Sequence, residues 1–345
     1  MFESKNEIFL QYDSLRKTQA HIDIFKDDIA HFFSNSAFSE VVFIACGSSY
    51  WLSLSAHMTF MEKTGMKASA VKAGDIVLNE AYYSKIYQSP LIIIPSRSGT
   101  TTEVLEAVRI FKKAYGDQTP VFSIVIYEDS PLEALSDFAL LLPWANEISV
   151  CQTRSFSTLY LASCLIAAIV GQDTSFFEKV KAYLNQAESL FQSLELQLKP
   201  VVDDFTELVV LGSGVQYGVA VEGAYINIEM ACLPSSYYGT MELRHGPIVR
   251  VHDKTLVICV FNAHTARYCE DILKLVKEKG GRSMIITDDE QFDFADFTFS
   301  LKQLYEPEIL ALYAVSVMQG LAYLKAVQLG INPDKPQGLV PFIEI

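Results

Sequence analysis

The chain has 345 residues, half of them hydrophobic and 20% charged, a composition that builds packed cores and excludes a disordered protein. Its formal net charge is −14 with no cluster of Lys and Arg, which argues against a nucleic-acid partner, because phosphate backbones are bound by grouped cations. The length suits two domains of ordinary size.

Residues 3–34 read as helix, with Ile8, Leu15, Ile22, Ile24, Ile29 and Phe33 as its apolar positions. "VVFIACGSSYW" is then a short apolar run that turns through Gly-Ser-Ser into a helical pattern, the mark of a buried parallel strand feeding a helix N-terminus. "PLIIIPSRSGTTTEVLEAVRIFKKAYG" repeats that order, "PVFSIVIYED" and "FALLLPW" supply two more strands, and a helix from about Phe156 to Val170 follows. A long polar helix or helix pair, "DTSFFEKVKAYLNQAESLFQSLELQLKPVV", links to a second start at "ELVVLGSGVQYGVAVEGAYINIEMA". "KTLVICVFNAHTARYCEDILKLVKEKGG", "RSMIITDD" and "FTFSL" continue the alternation, and a last apolar helix runs from about Glu308 to Val327 before an extended tail. Strands alternating with helices predict an α/β fold of two doubly wound parallel-sheet domains, an internal duplication. The expected boundaries are a helical segment at 1–34, a first domain at 35–175, a helical linker at 176–202 and a second domain at 203–345.

Six scattered cysteines without a C-x-x-C pair read as free thiols in a reducing compartment. Histidines without H-x-x-x-H or H-x-H spacing give no metal site. The start shows no basic-then-apolar leader, and the apolar stretch "LYLASCLIAAIV" is too short to span a bilayer, so a cytoplasmic protein with no membrane partner is expected.

The strongest chemical signal is "PSRSGTTTEV", where Ser96, Ser98, Thr100, Thr101 and Thr102 crowd the junction of a buried strand and a helix, with Gly99 at the turn. Any one hydroxyl could be an N-cap, but five exceed what capping requires. Free helix N–H groups, the helix dipole and these hydroxyls together suit a phosphate. Ser48 and Ser49 in "ACGSSY" add donors at a second strand end, and ligands of open parallel sheets bind at such ends. The second copy's "FNAHTARYCED" lacks the hydroxyl array, so only the first domain is expected to hold phosphate this way. "GSGVQYG" approaches a dinucleotide fingerprint, but its last spacing is three rather than two and "EMACLPSSYYG" offers no ribose-binding acid. Glycines that pack a helix close to a strand are the better reading, so no dinucleotide is expected. Glu229 sits in a helix that is otherwise apolar or small, which suits an interior carboxylate, either paired or poised for proton transfer. His245, before Gly246-Pro247 in "GTMELRHGP", is placed on a loop.

Taken in order, "CGSS", "SRSGTT", "NEISVCQTRSFST", "VEGAYINIEM" and "ELRHGP" resemble the tandem sugar-isomerase (SIS) domain family, from about Val41 onward. The isomerase half of glucosamine-6-phosphate synthase is one well-known member, and no glutaminase domain is expected before this chain. The resemblance implies two three-layer nucleotide-binding-like folds, a homodimer, a sugar-phosphate substrate and no cofactor. By position it implies that Ser48, Ser49, Ser96, Ser98 and Thr101 hold the sugar 6-phosphate. Arg97, where the family commonly has glutamine, would add a cation. Gly47, Gln152 and Glu222 would line the sugar. Glu229 would shuttle a proton between C1 and C2, and His245 would assist ring opening from the partner subunit.

Two departures narrow the resemblance. Ile226 stands where the synthase has a lysine in the helix bearing its glutamate, and Pro341 stands where it has a lysine in its C-terminal tail. Loss of both is similar to the stand-alone fructosamine-6-phosphate deglycases, which cleave phosphorylated Amadori compounds. That activity is expected first. An aldose–ketose isomerase or an amino-sugar-phosphate deaminase is second, and a non-enzymatic phosphosugar sensor is the reading from another class.

Overall fold

The computed structural model of the chain describes residues 2–339. Two five-stranded sheets, parallel throughout, form the cores of two compact units. In the first unit the strands are β1 Val41–Ala45, β2 Ala68–Lys72, β3 Leu91–Ser96, β4 Val121–Val125 and β5 Phe138–Leu141, in the order β2-β1-β3-β4-β5. In the second they are β6 Glu207–Leu211, β7 Ser235–Tyr238, β8 Thr255–Phe261, β9 Arg282–Thr287 and β10 Phe297–Ser300, in the order β10-β9-β8-β6-β7. The two orders are the same topology, so β6 answers to β1, β8 to β3 and β9 to β4. In both, the order reverses at the first strand, between β1 and β3 or between β6 and β8, and ligands bind open α/β sheets at that place.

Central strands are buried on both faces because helices cover both sides of the sheet. Side-chain alternation divides the first unit's core. Val42, Ile44, Ile92 and Ile94 pack with Val104, Val108 and Phe111 of the amphipathic helix Thr102–Tyr115. Phe122 meets Phe33 at 5.6 Å, and Phe43 meets Phe60 at 6.2 Å. The edge strands β2 and β7 are only half-buried, and neither carries an apolar run.

The N-terminal helix is two helices, Glu3–Phe9 and Tyr12–Asn35, and Ile24, expected on its apolar face, is exposed. The linker is one helix, Thr174–Val202. The units are discontinuous in sequence: the first comprises Tyr12–Glu147 and Arg154–Leu184, the second residues 2–11, Ile148–Thr153 and Asn185–Leu339. Buried polar bonds explain why the two outlying pieces join the second unit. The Gln319 amide donates to the Thr153 carbonyl at 2.9 Å and accepts from the Gln11 amide at 2.9 Å. The Glu7 carboxylate accepts from the Ser149 hydroxyl and both neighbouring N–H groups, and Asp334 accepts from Ser4 N–H at 2.8 Å.

Helix Pro307–Gln328, rather than "LYLASCLIAAIV", is long and apolar enough to cross a bilayer by length and composition, but 94% of its apolar window is buried. It is a core helix: it packs on helix Val215–Ala231, where a Cβ on Gly223 would lie 2.1 Å from the Met318 sulfur. Among the described residues no disulfide forms; Cys232 is exposed, Cys46 half-buried and the other four cysteines buried.

Candidate functional site

In the first unit, two turns end the strands at the point where the order reverses. After β1 the chain passes through Gly47, φ +53°, directly into helix Gly47–Thr64, which places the buried Ser48 and Ser49 in its first turn. The free N–H groups of a helix start are therefore beside these hydroxyls. A thiol at such a place is usually acidified, but burial, with Glu103 adding to it, pushes the neighbouring Cys46 up to about 11. Cys46 is thus held mainly as the thiol at neutral pH.

After β3 the turn is built by its own hydroxyls. Ser96 Oγ accepts from Gly99 N–H at 3.0 Å, and Ser98 Oγ accepts from Thr100 N–H at 3.2 Å. A hydroxyl that accepts one such bond keeps its proton to donate. Gly99 is required here: its φ is +64°, and a Cβ would lie 2.3 Å from Ser130 Oγ. Thr101 is the N-cap of helix Thr102–Tyr115, yet its side chain makes no capping bond. The turn therefore presents hydroxyl donors and a helix start to one place, a fitting seat for a phosphate.

Arg97 lies in this turn but its charge is compensated. Its guanidinium pairs with Glu147 at 3.3 Å, with both side chains nearly inaccessible. Glu147 also accepts from the hydroxyl and N–H of Ser155, the latter at 3.4 Å, at the start of helix Arg154–Val170. The cation anticipated for the phosphate is thus tied to a carboxylate that sequence reasoning missed. Gln152 belongs to the second unit, half-buried on the segment Ile148–Thr153.

In the second unit, Gly212 of "GSGVQYG" is a packing glycine, whereas Gly214 serves the turn through its backbone angle alone. A Cβ on Gly212 would lie 2.6 Å from the Gln216 carbonyl oxygen, and Gly214 takes φ +59° at the N-cap of helix Val215–Ala231. Glu222 and Glu229, seven residues apart on that helix, share a face. Here the structure corrects an expectation: Glu222 is the fully buried carboxylate, while Glu229 is half-buried beside the exposed Ile228. The helix has no lysine, and Ile226 is fully buried. Between the two carboxylates in sequence lies Tyr225, which sequence reasoning also missed. Burial pushes its phenol up, and the charges of Glu229 and then Glu222 push in the same direction. It remains a proton donor at neutral pH.

His245 ends the short 3-10 turn Glu242–His245 and is exposed, with Leu243 buried as the anchor. Gly246, φ +133°, and Pro247 then redirect the chain. Thr240 N–H donates to Ser213 Oγ at 3.1 Å, which ties this loop to the turn after β6. Among the described residues no group of three or more His, Cys, Asp or Glu is placed to hold a metal ion. Pro341, the tail position singled out in the sequence, lies outside the described residues.

The comparisons with known proteins agree with this architecture. The profile of the SIS domain matches residues 37–170 and again 206–328. Over 88% of its length the chain is 25% identical to glutamine–fructose-6-phosphate aminotransferase (isomerizing) of Sulfolobus acidocaldarius, covering 50% of that protein. It is 27% identical to the enzyme of the same description from Xylella fastidiosa, covering 51% of it. The chain thus spans about half the length of the curated relatives it matches. Among solved structures, a candidate tagatose-6-phosphate ketose/aldose isomerase from Clostridium novyi superposes with a TM-score of 0.86 at 26% identity, over 99% of this chain and 93% of that one. Glucosamine-6-phosphate deaminase from Thermotoga maritima superposes with a TM-score of 0.78 at 27% identity, over 95% of this chain and 100% of that one.

Proposed function

The chain belongs to the SIS domain family, and from that premise we propose that it is a phosphosugar enzyme that splits a fructosamine 6-phosphate into glucose 6-phosphate and a free amine. The substrate phosphate sits at the turn after β3, on the Ser96, Ser98 and Thr101 hydroxyls and the helix start, with Ser48 and Ser49 contributing from the turn after β1. His245 assists ring opening, and Glu229 removes the C1 proton. The enaminol is reprotonated at C2, which gives the Schiff base of glucose 6-phosphate. Water adds to its C1, the C–N bond breaks, and the amine leaves with a proton. Gly47, Gln152 and Glu222 line the sugar.

The observation that carries this reading is Ile226, fully buried one turn before Glu229 where the aminating relatives have a lysine. A reaction whose substrate brings its own nitrogen has less need of an enzyme amine, because that nitrogen is the electron source. A positioned carboxylate contributes about 100- to 10,000-fold, and orientation and phosphate binding supply the rest.

A second reading, an aldose–ketose isomerase or an amino-sugar-phosphate deaminase, is favoured by the descriptions of the two structures above. A homodimer accompanies either reading, supported by the exposed His245 on its short turn, and sedimentation at micromolar concentration tests it.

The experiment is release of glucose 6-phosphate from a panel of 6-phosphofructosyl amino acids, with fructose 6-phosphate and glucosamine 6-phosphate alongside. Release from one conjugate, reduced by about 100-fold or more in Glu229→Gln, is the expected result. Conversion of only a control compound moves the protein to the second reading. Sugar-phosphate binding without any turnover makes it a sensor.

A further inference from the structure

The second unit repeats the topology of the first, yet its turn after β8, at the reversal point, is filled from within. Asp288, the residue after β9, is 2% exposed and turns its carboxylate into the turn after β8. One oxygen accepts from Ala263 N–H at 2.9 Å and from Thr287 Oγ1 at 3.4 Å; the other accepts from Asn262 Nδ2 at 2.8 Å. The Asn262 side-chain oxygen in turn accepts from Gln216 Nε2 at 2.5 Å, and Gln216 lies in the first turn of helix Val215–Ala231. The Asn262 amide also donates to the Tyr305 carbonyl at 3.3 Å. A carboxylate thus stands at the start of the turn that leads into helix Ala266–Glu278, the turn answering to the phosphate seat of the first unit. From it a chain of amides runs to the helix that bears Glu222 and Glu229.

We infer that Asp288 is an internal stand-in for a bound anion, a positioning residue that closes the second unit's ancestral seat and fixes, through Asn262 and Gln216, the helix carrying the proton-shuttling Glu229. A turn with free N–H groups holds its shape when an anion occupies it. In the first unit the Ser96 and Ser98 hydroxyls hold the turn, and an anion joins them only while substrate is bound. In the second the anion is covalently part of the chain, so the Glu229 helix keeps its place with or without substrate. The role in turnover rests on the proposed function; the filled seat does not.

The test is chemical rescue. Asp288→Gly empties the seat, and its melting temperature is expected to fall and to rise again with sodium acetate or formate but not with sodium chloride at equal ionic strength. The wild type should not respond. Asp288→Asn keeps the seat filled and should melt low without any acetate response. If Asp288→Gly does not fold in chloride, its refolding yield in acetate against chloride gives the same reading. These measurements need no substrate, so their failure is distinct from failure of the proposed activity. With the release assay, kcat of Asp288→Gly should fall on the order of tenfold to a hundredfold with KM for the sugar phosphate unchanged, and acetate should restore it. A variant as stable as the wild type, or one destabilised without any response to either carboxylate, would overturn the inference. So would an effect carried by KM alone.

Discussion

The turns after β3 and after β8 occupy the same place in two copies of one topology, and each is held by a buried carboxylate used differently. Glu147 does not enter its turn; it takes the Arg97 guanidinium and the N–H at the start of helix Arg154–Val170. Asp288 goes directly onto the Ala263 N–H, so that donor is already engaged from within the chain. The comparison teaches that a phosphate seat needs more than a strand end and a helix start. It needs the local carboxylate to be engaged elsewhere, and hydroxyls that accept a bond from the turn while keeping a proton to donate.

Breaking the first clamp should give the largest effect. Removing one member of a buried ion pair leaves an uncompensated charge and costs about 3–5 kcal/mol. Arg97→Gln and Glu147→Gln should each lower the urea midpoint accordingly, while the double substitution recovers most of the loss. Equal midpoints for single and double variants would show that the pair is not coupled.

Backbone changes at the turns come next. Gly99→Ala combines a left-handed φ with a Cβ driven into Ser130, and a loss of roughly 1–3 kcal/mol is expected from the conformation alone. Gly47→Ala meets nothing within 4 Å, so only its φ counts and about 1 kcal/mol is expected. Thermal melts of the two variants rank them.

Ser98→Ala should weaken sugar-phosphate binding roughly tenfold, the worth of one hydrogen bond to a charged group. Thr265→Ala, in the answering turn of the second unit, should leave it unchanged.

The smallest effect is chemical. At pH 8 a thiol pushed up to about 11 is ionised to about one part in a thousand, so Cys46 should resist iodoacetamide. The exposed Cys232 should react first, and mass spectrometry of the labelled peptides reads the order.

The central strands were legible because burial on both faces writes them as apolar runs, as in "LIIIPS" and "TLVICVF". Ala68–Lys72 and Ser235–Tyr238 were not, since a half-buried edge strand needs no such run. The hydroxyl turn was legible for a local reason: its parts lie within a few residues and bond to one another. Glu147 was hidden because its partner is fifty residues away and its own loop has no period. Asp288 was hidden in the same way, at the end of a plainly readable strand. The depths of Glu222 and Glu229 could not be separated by spacing, because seven residues bring two side chains to the same helix face whatever covers them. Only packing against Pro307–Gln328 and the other neighbours of that helix decides which is enclosed.

The most direct test of this asymmetry is a calorimetric titration of the intact protein with glucose 6-phosphate. One equivalent bound per chain, abolished in Ser98→Ala/Thr101→Ala and retained in Thr265→Ala, is the predicted result. Two equivalents, or binding that survives loss of both first-unit hydroxyls, would contradict the placement of the phosphate at the turn after β3.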